Sequence, residues 1–353
     1  MSRSVSFLFG PPNFSDASGA GANVDSAAST VTVSPPKSTS PTIGIQSSNI
    51  AKTWKKPRVI GKGSFSTVFY LRGKAIKLVS VRYSQMLERE YDLLKRLEGC
   101  RNIVHALKIS HREGKDSFLV MDYGGKDVFD ALPHFSAEDK MFTYLQVSHA
   151  LEYMHERDVV HLDIKMENVV IDAIRRVRVI DFGLARHLSK EERDTRTIDG
   201  VVGSRSYCCP EMLGSKQFNG FEADSWSMGI FVFVLWHNCM MWRTAAIDVD
   251  PRFARFEKDT ASMSPSSYFQ QCGHCCTSST PEWVWAVVDA ALVVNPARRQ
   301  RRWSIGVGGT DVTWTNSLST YTFSPQGPHD KMDAVFQWLQ QKMEWCGTIG
   351  RRA

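Results

Sequence analysis

The chain has 353 residues, 42% of them hydrophobic and 23% charged, with a formal net charge of +6. That length and apolar content suit a globular protein with one large core or two lobes plus an appendage. The charge is mild and no Lys/Arg run is interleaved with aromatics, which argues against a nucleic-acid groove.

Eight cysteines stand at 100, 208, 209, 239, 272, 275, 276 and 346, without the dense spacing of a secreted disulfide framework. A reducing, intracellular and by default cytoplasmic compartment is the expectation. Val5-Ser6-Phe7-Leu8-Phe9 is shorter than the apolar core of a signal peptide. Met228 to Trp236 is the most apolar stretch, yet it amounts to about half a membrane span. No membrane association is expected.

Residues 1–50 are rich in Ser, Thr, Pro, Gly and Ala and show no periodicity, which reads as a disordered tail. Ser34-Pro35 and Ser40-Pro41 fit proline-directed phosphorylation, or simply the composition of such a tail. At Arg58-Val59-Ile60-Gly61-Lys62-Gly63-Ser64-Phe65-Ser66-Thr67-Val68-Phe69-Tyr70 two β-prone runs flank a glycine-containing turn. Glycines there let backbone amides approach phosphate oxygens. After the Arg72-Gly73 turn, Ala75-Ile76-Lys77 gives a third strand ending in a cation.

A helix is expected over about 84–97, with Met86, Leu93, Leu94 and Leu97 on one face. Glu90 lies on that same apolar face, where a carboxylate is costly without a partner, and Lys77 on the preceding strand is the natural one. Phe118-Leu119-Val120-Met121-Asp122-Tyr123-Gly124-Gly125 reads as a buried strand stopped by glycines. A second helical pattern, from Ala137 to Arg157, leads into the most informative stretch.

That stretch is His161-Leu162-Asp163-Ile164-Lys165-Met166-Glu167-Asn168, followed by Val169-Val170-Ile171 and then Val179-Ile180-Asp181-Phe182-Gly183. A proton acceptor, a cation and a metal ligand share one short loop, and a second Asp follows on the next turn. Phosphoryl transfer needs this grouping, because its work is positioning a hydroxyl and neutralising phosphate charge. The spacings resemble the His-x-Asp-x-x-x-x-Asn and Asp-Phe-Gly signatures of eukaryotic protein kinases.

The resemblance implies a two-lobed α+β fold: a small, mostly antiparallel sheet with one key helix over about 51–123, and a larger helical lobe over about 124–302. It implies transfer of the γ-phosphate of ATP to Ser/Thr hydroxyls of a protein substrate, with Asp163 as base and Lys165 at the γ-phosphate. Asn168 and Asp181 would hold magnesium. Lys77 and Glu90 would hold the α- and β-phosphates, with Gly61 and Gly63 in the loop above them. Ile60, Val68, Ala75 and Val170 would sandwich the adenine, Met121 would limit the pocket's depth, and backbone groups of Asp122 and Gly124 would bond its edge. His161 reads as a brace rather than a catalyst.

Two departures from the family pattern stand out. Ser66 replaces the third glycine of Gly-x-Gly-x-x-Gly-x-Val. Leu162 replaces the Arg of His-Arg-Asp, which ordinarily receives a phosphate on the activation segment. Without that cation, a phosphate on the loop loses its main charge partner. Both departures lean toward a pseudokinase-type nucleotide-binding or scaffold module, whereas Lys77, Asp163 and Asp181 all favour an enzyme.

The segment from Leu184 to Tyr207, with Ser189, Thr195 and Thr197 as phosphosite candidates, reads as a mobile polar loop. Gly203-Ser204-Arg205-Ser206-Tyr207-Cys208-Cys209-Pro210-Glu211 resembles its anchored end, with Ser204 near Asp163 and Lys165 and with Arg299 as partner of Glu211. Asp224 would anchor the catalytic loop. Lys165 points to Ser/Thr rather than Tyr acceptors, and Glu167 occupies a position that meets a substrate Arg in basophilic members. Trp242 to Phe253 is similar to calmodulin-dependent and energy-sensing kinases. Cys208 and Cys209 are oxidant sensors only if exposed and acidified, and Cys272-Gly273-His274-Cys275-Cys276 lacks the second ligand pair of a zinc site. Residues 303–353 form an extension whose Met332, Val335, Phe336, Leu339 and Met343 make a helical stripe over about 330–345, suited to docking on the large lobe.

Overall fold

The structure, a computed structural model, describes residues 57–111, 116–195, 197–200, 203–214, 217–272 and 279–299, and the backbone of two further strands, Ile305–Val307 and Thr310–Val312. The expected tail over 1–50 and helix over 330–345 lie outside the described residues.

Five strands, β1 (Arg58–Lys62), β2 (Ser66–Leu71), β3 (Lys74–Val79), β4 (Ala106–His111) and β5 (Ser117–Asp122), form an antiparallel sheet in the order β1-β2-β3-β5-β4. Arg72 and Gly73 both take positive φ, 50° and 75°, the conformation of a two-residue hairpin loop between Leu71 and Lys74. Helix α1 (Ser84–Arg96) packs on this sheet through Leu87, Glu90, Leu93 and Leu94, with Leu97 buried just beyond it. Met86, expected on that face, is instead 38% exposed. The stripe runs through 87, 90, 94 and 97, the i, i+3, i+7 and i+10 positions.

The large lobe begins with β6 (Lys126–Asp127), α2 (Val128–Ala131) and α3 (Ala137–His155). Ser136 and Asp139 cap α3 reciprocally, satisfying two N–H groups that a helix start leaves open. Strands β7 (Val159–Val160), β8 (Val169–Ile171) and β9 (Val177–Val179) follow, with β8 between β6 and β9. Strand β10 (Arg186–His187), α4 (Lys190–Thr195) and β11 (Ile198–Asp199) lead to α5 (Pro210–Gly214) and β12 (Gln217–Phe218).

Helix α6 (Gly220–His237) is buried from Gly220 to Leu235, so its apolar side chains are not confined to one face. It stops at Asn238 in the left-handed conformation, a common helix terminus for Asn. Around it lie α7 (Pro251–Asp259), α8 (Pro265–Gln271) and α9 (Glu282–Ala291), with rings of Trp226, Trp242, Phe253, Phe256 and Phe269 in mutual contact. The apolar run Met228 to Trp236 is therefore core, and among the described residues no helix is long and apolar enough to cross a membrane. Strands β13 (Ile305–Val307) and β14 (Thr310–Val312) pair antiparallel.

Candidate active site

Asp224, wholly buried on α6, sets the catalytic loop. Its Oδ1 accepts the Leu162 N–H at 2.7 Å, and its Oδ2 accepts the His161 N–H at 2.8 Å. His155 Nε2 lies 2.9 Å from the same Oδ2. Together these bonds hold Leu162 at φ 65°, a conformation costing a β-carbon-bearing residue roughly 1–2 kcal/mol. Gly203 answers it from the activation segment at φ 91°, where a β-carbon would strike the Leu162 carbonyl. His161 is fully buried, and burial pushes its pKa down despite the nearby carboxylates. Its Nδ1 accepts the Asp163 N–H at 3.3 Å, so in the neutral ring Nε2 donates to the Ile180 carbonyl, also 3.3 Å away. The ring stands edge-on to Phe182, an arrangement that braces the loop.

Asp163 is buried, and both of its carboxylate oxygens accept bonds, two on Oδ2 and one on Oδ1, which leaves Oδ1 able to accept another. Oδ2 accepts from Lys165 Nζ at 2.8 Å and Asn168 Nδ2 at 2.9 Å, while Oδ1 accepts the Ser204 N–H at 2.8 Å. Lys165 also donates to Ser204 Oγ at 2.8 Å. Asn168 spends its amide N–H groups on Asp163, including the backbone oxygen at 2.9 Å, which leaves Oδ1 as the atom it can offer a cation.

Lys77 on β3 joins α1 to the second acidic turn. Its Nζ donates to Glu90 at 2.9 and 2.7 Å and to Asp181 Oδ1 at 2.7 Å. Burial disfavours the ammonium, but Glu90 and Asp181 together outweigh it and raise the Lys77 pKa. Burial raises the Glu90 carboxyl above its ordinary value, so its ionised form depends on Lys77. Asp181, at φ 61°, is 48% exposed; burial opposes its charge, and Lys77 more than offsets this, lowering its pKa. Asp181 and Asn168 therefore offer a carboxylate and an amide oxygen, the hard-oxygen donor set that magnesium takes.

The residues expected from the resemblance to contact nucleotide divide between β1 to β3, the end of β5 and β8. Gly61 faces Val68 across a bulge between β1 and β2, Ile60 is partly exposed beside it, and the Gly63 N–H donates to the Ser66 carbonyl at 2.9 Å. Ala75 pairs directly with Met121 across β3 and β5, and both are buried, as is Val170. At the hinge Gly125 takes φ 109°, and a β-carbon there would overlap the Ile171 carbonyl, so the chain turns flush against β8.

One cluster escaped the sequence reading. The Asp122 carboxylate bonds Lys74 Nζ at 2.7 Å and approaches His105 Nδ1 at 3.4 Å, while His105 Nε2 lies 2.6 Å from Glu98. No local motif marks these residues, because they meet only when β3, β5 and the end of α1 assemble.

The activation segment, expected to be a loop, contains the short helix α4 (Lys190–Thr195). Ser189 and Glu192 exchange bonds at the start of α4, Leu188 N–H donates to the Asp158 carbonyl at 2.8 Å, and Arg193 bonds Asp158 Oδ2 at 3.1 Å. The anchored end holds Arg299, with a side chain 0% exposed, against Glu211 at 2.5 and 3.2 Å, with further bonds to the Val293 and Glu222 carbonyls. Cys208 and Cys209 are buried, and burial pushes Cys208 up to about 12 and Cys209 well above its ordinary value. The thiolate an oxidant sensor needs is suppressed at both. Residues 273–278 of the Cys/His cluster lie outside the described residues, among which no group of three metal-ligating side chains occurs.

This two-lobed α+β fold, with its Lys–Glu pair and its Asp-centred loop, defines a protein kinase domain. Residues 54–301, well over half of the chain, match the protein kinase domain family, and the chain belongs to it. Over 265 residues it is 28% identical to NUAK family SNF1-like kinase 2 of Rattus norvegicus, covering 71% of this chain and 39% of that protein. It is 29% identical over 191 residues to CBL-interacting protein kinase 11 of Oryza sativa subsp. japonica, covering 50% and 38% of the two. The corresponding match to CBL-interacting serine/threonine-protein kinase 9 of Arabidopsis thaliana is 30% over 193 residues, covering 50% and 43%. The chain thus spans about two-fifths of the length of these curated relatives.

Proposed function

We propose that this chain is a protein serine/threonine kinase that transfers the γ-phosphate of ATP to Ser/Thr hydroxyls. The observation that carries the reading is the complete, mutually bonded set Asp163, Lys165, Asn168 and Ser204 beside Lys77, Glu90 and Asp181. Asp163 orients the acceptor hydroxyl and takes its proton, and Lys165 faces the γ-phosphate as charge moves to it. Lys77, fixed by Glu90, holds the α- and β-phosphates. Asn168 and Asp181 would hold magnesium, which would supply neutralisation of phosphate charge. Ile60, Gly61, Gly63, Val68, Ala75, Met121, Asp122, Gly124 and Val170 form the nucleotide pocket.

The kinase domain is taken to run over 51–302, preceded by a tail and followed by an extension. The names of the relatives support a Ser/Thr acceptor and an SNF1-like or CBL-interacting-kinase-like subgroup. A protein substrate is part of the reading, as is a cytoplasmic setting, which rests on cysteine spacing.

Incubation with magnesium-ATP labelled at the γ-phosphate and a degenerate Ser/Thr/Tyr peptide library, followed by phosphoamino-acid analysis, tests this. Label in phosphoserine and phosphothreonine is expected. Nucleotide binding without any label in peptide would instead support the pseudokinase alternative, toward which Ser66 and Leu162 lean.

A further inference from the structure

The kinase reading leaves the acceptor's sequence context open, and the structure carries it one step further. An acceptor hydroxyl must approach Asp163, whose Oδ1 is held by the Ser204 N–H, while Lys165 holds the Ser204 hydroxyl. Ser204 thus borders the acceptor position. Arg205 is the next residue, about 3.8 Å further along the chain by Cα spacing.

The turn carrying Arg205 is pinned at several points. Tyr207 N–H donates to the Ser204 carbonyl at 2.7 Å, the Ser206 hydroxyl to the Arg243 carbonyl at 3.0 Å, and the Ser227 hydroxyl to the Tyr207 carbonyl at 3.0 Å. From Gly203 to Cys209 only Arg205 is exposed, and it has no carboxylate partner among the described residues. Asp163 and Lys165 bond each other, whereas Arg205 is left uncommitted.

We propose that Arg205 selects acceptor peptides with an acidic side chain one or two residues from the acceptor Ser/Thr. A guanidinium presents a planar fork that matches a carboxylate. An extended peptide advances about 3.3 Å per residue, so a side chain one residue from Ser204 reaches those positions and not distant ones. The proposal rests on the kinase reading and adds to it an acid-selecting charge, opposite in sign to the basic context expected from Glu167.

The test uses the full chain, magnesium-ATP and peptides identical except for Asp, Ala or Lys at each position from two before to two after the acceptor. Wild type is expected to favour Asp over Ala by roughly 3–10-fold in kcat/KM at one of these positions, the scale of a single partly exposed charge-assisted pair. Arg205→Ala should lose this preference while phosphorylating the Ala peptide within about twofold of wild type, and Arg205→Glu should reverse it toward Lys. Equal use of Asp and Ala peptides by wild type, or a preference that survives Arg205→Ala, overturns the proposal while leaving the kinase reading intact. Failure of wild type to phosphorylate any peptide counts against both.

Discussion

Replacing Asp181 with alanine is expected to lower kcat by roughly 10²–10³-fold while leaving the fold in place. The side chain is 48% exposed and its only ion pair among the described residues is with Lys77, so its removal takes little from the core. It does remove the one carboxylate of the proposed metal site, and losing a single preorganised electrostatic contact commonly costs 10²–10³-fold. Steady-state kinetics with magnesium-ATP, beside thermal melts of both proteins, separates the two effects. Lys77 and Asp181 also bound the pH range of the pair. Asp181 is lowered, so its stabilising contribution is present above the ordinary carboxylate pKa and is lost only as pH falls through the depressed value. Lys77 is raised, so its contribution is complete below the ordinary ammonium pKa and is lost as pH rises through the elevated one.

Arg299→Ala should have the largest effect on stability. Its side chain is wholly buried, bonds Glu211 through two nitrogens, and stacks its guanidinium 4.9 Å from the Trp226 ring centre. Removing one partner of a buried pair leaves the other charge uncompensated and costs about 3–5 kcal/mol. For a domain of this size that corresponds to a fall of roughly 10 °C in Tm, measurable by calorimetry or circular dichroism. A shift under about 2 °C would show that Glu211 is adequately solvated without Arg299.

Much of the site was legible because it is written in short motifs. Asp163, Lys165 and Asn168 fall within one loop, and Asp181 follows on the next turn, so their grouping needs only local chain geometry. Glu90 was legible for a different reason: a carboxylate on an apolar helical face demands a cation, and β3 carries one at Lys77. The assignment of Met86 to that face failed by one residue, because Leu87 at i−3 from Glu90 packs as well as Met86 at i−4, and only the docking of α1 on β4 and β5 chooses between them. Asp122, His105 and Glu98 were illegible, being brought together by three separate elements. The polar activation segment also carried a helix start that was not read: Ser189 and Glu192 form a reciprocal cap with the capping-box spacing. The raised pKa of Cys208 and of Cys209 comes first from burial, which composition does not reveal.

The central claim is that phosphoryl transfer runs through Asp163. Its most direct measurement is single-turnover transfer of the γ-phosphate to a peptide by wild type and by Asp163→Asn, an isosteric change that keeps the side chain's shape and removes its capacity to take a proton. Wild type should label the peptide and Asp163→Asn should be slower by roughly 10²–10⁴-fold, the contribution of one positioned general base. Equal rates in the two proteins would contradict the assignment.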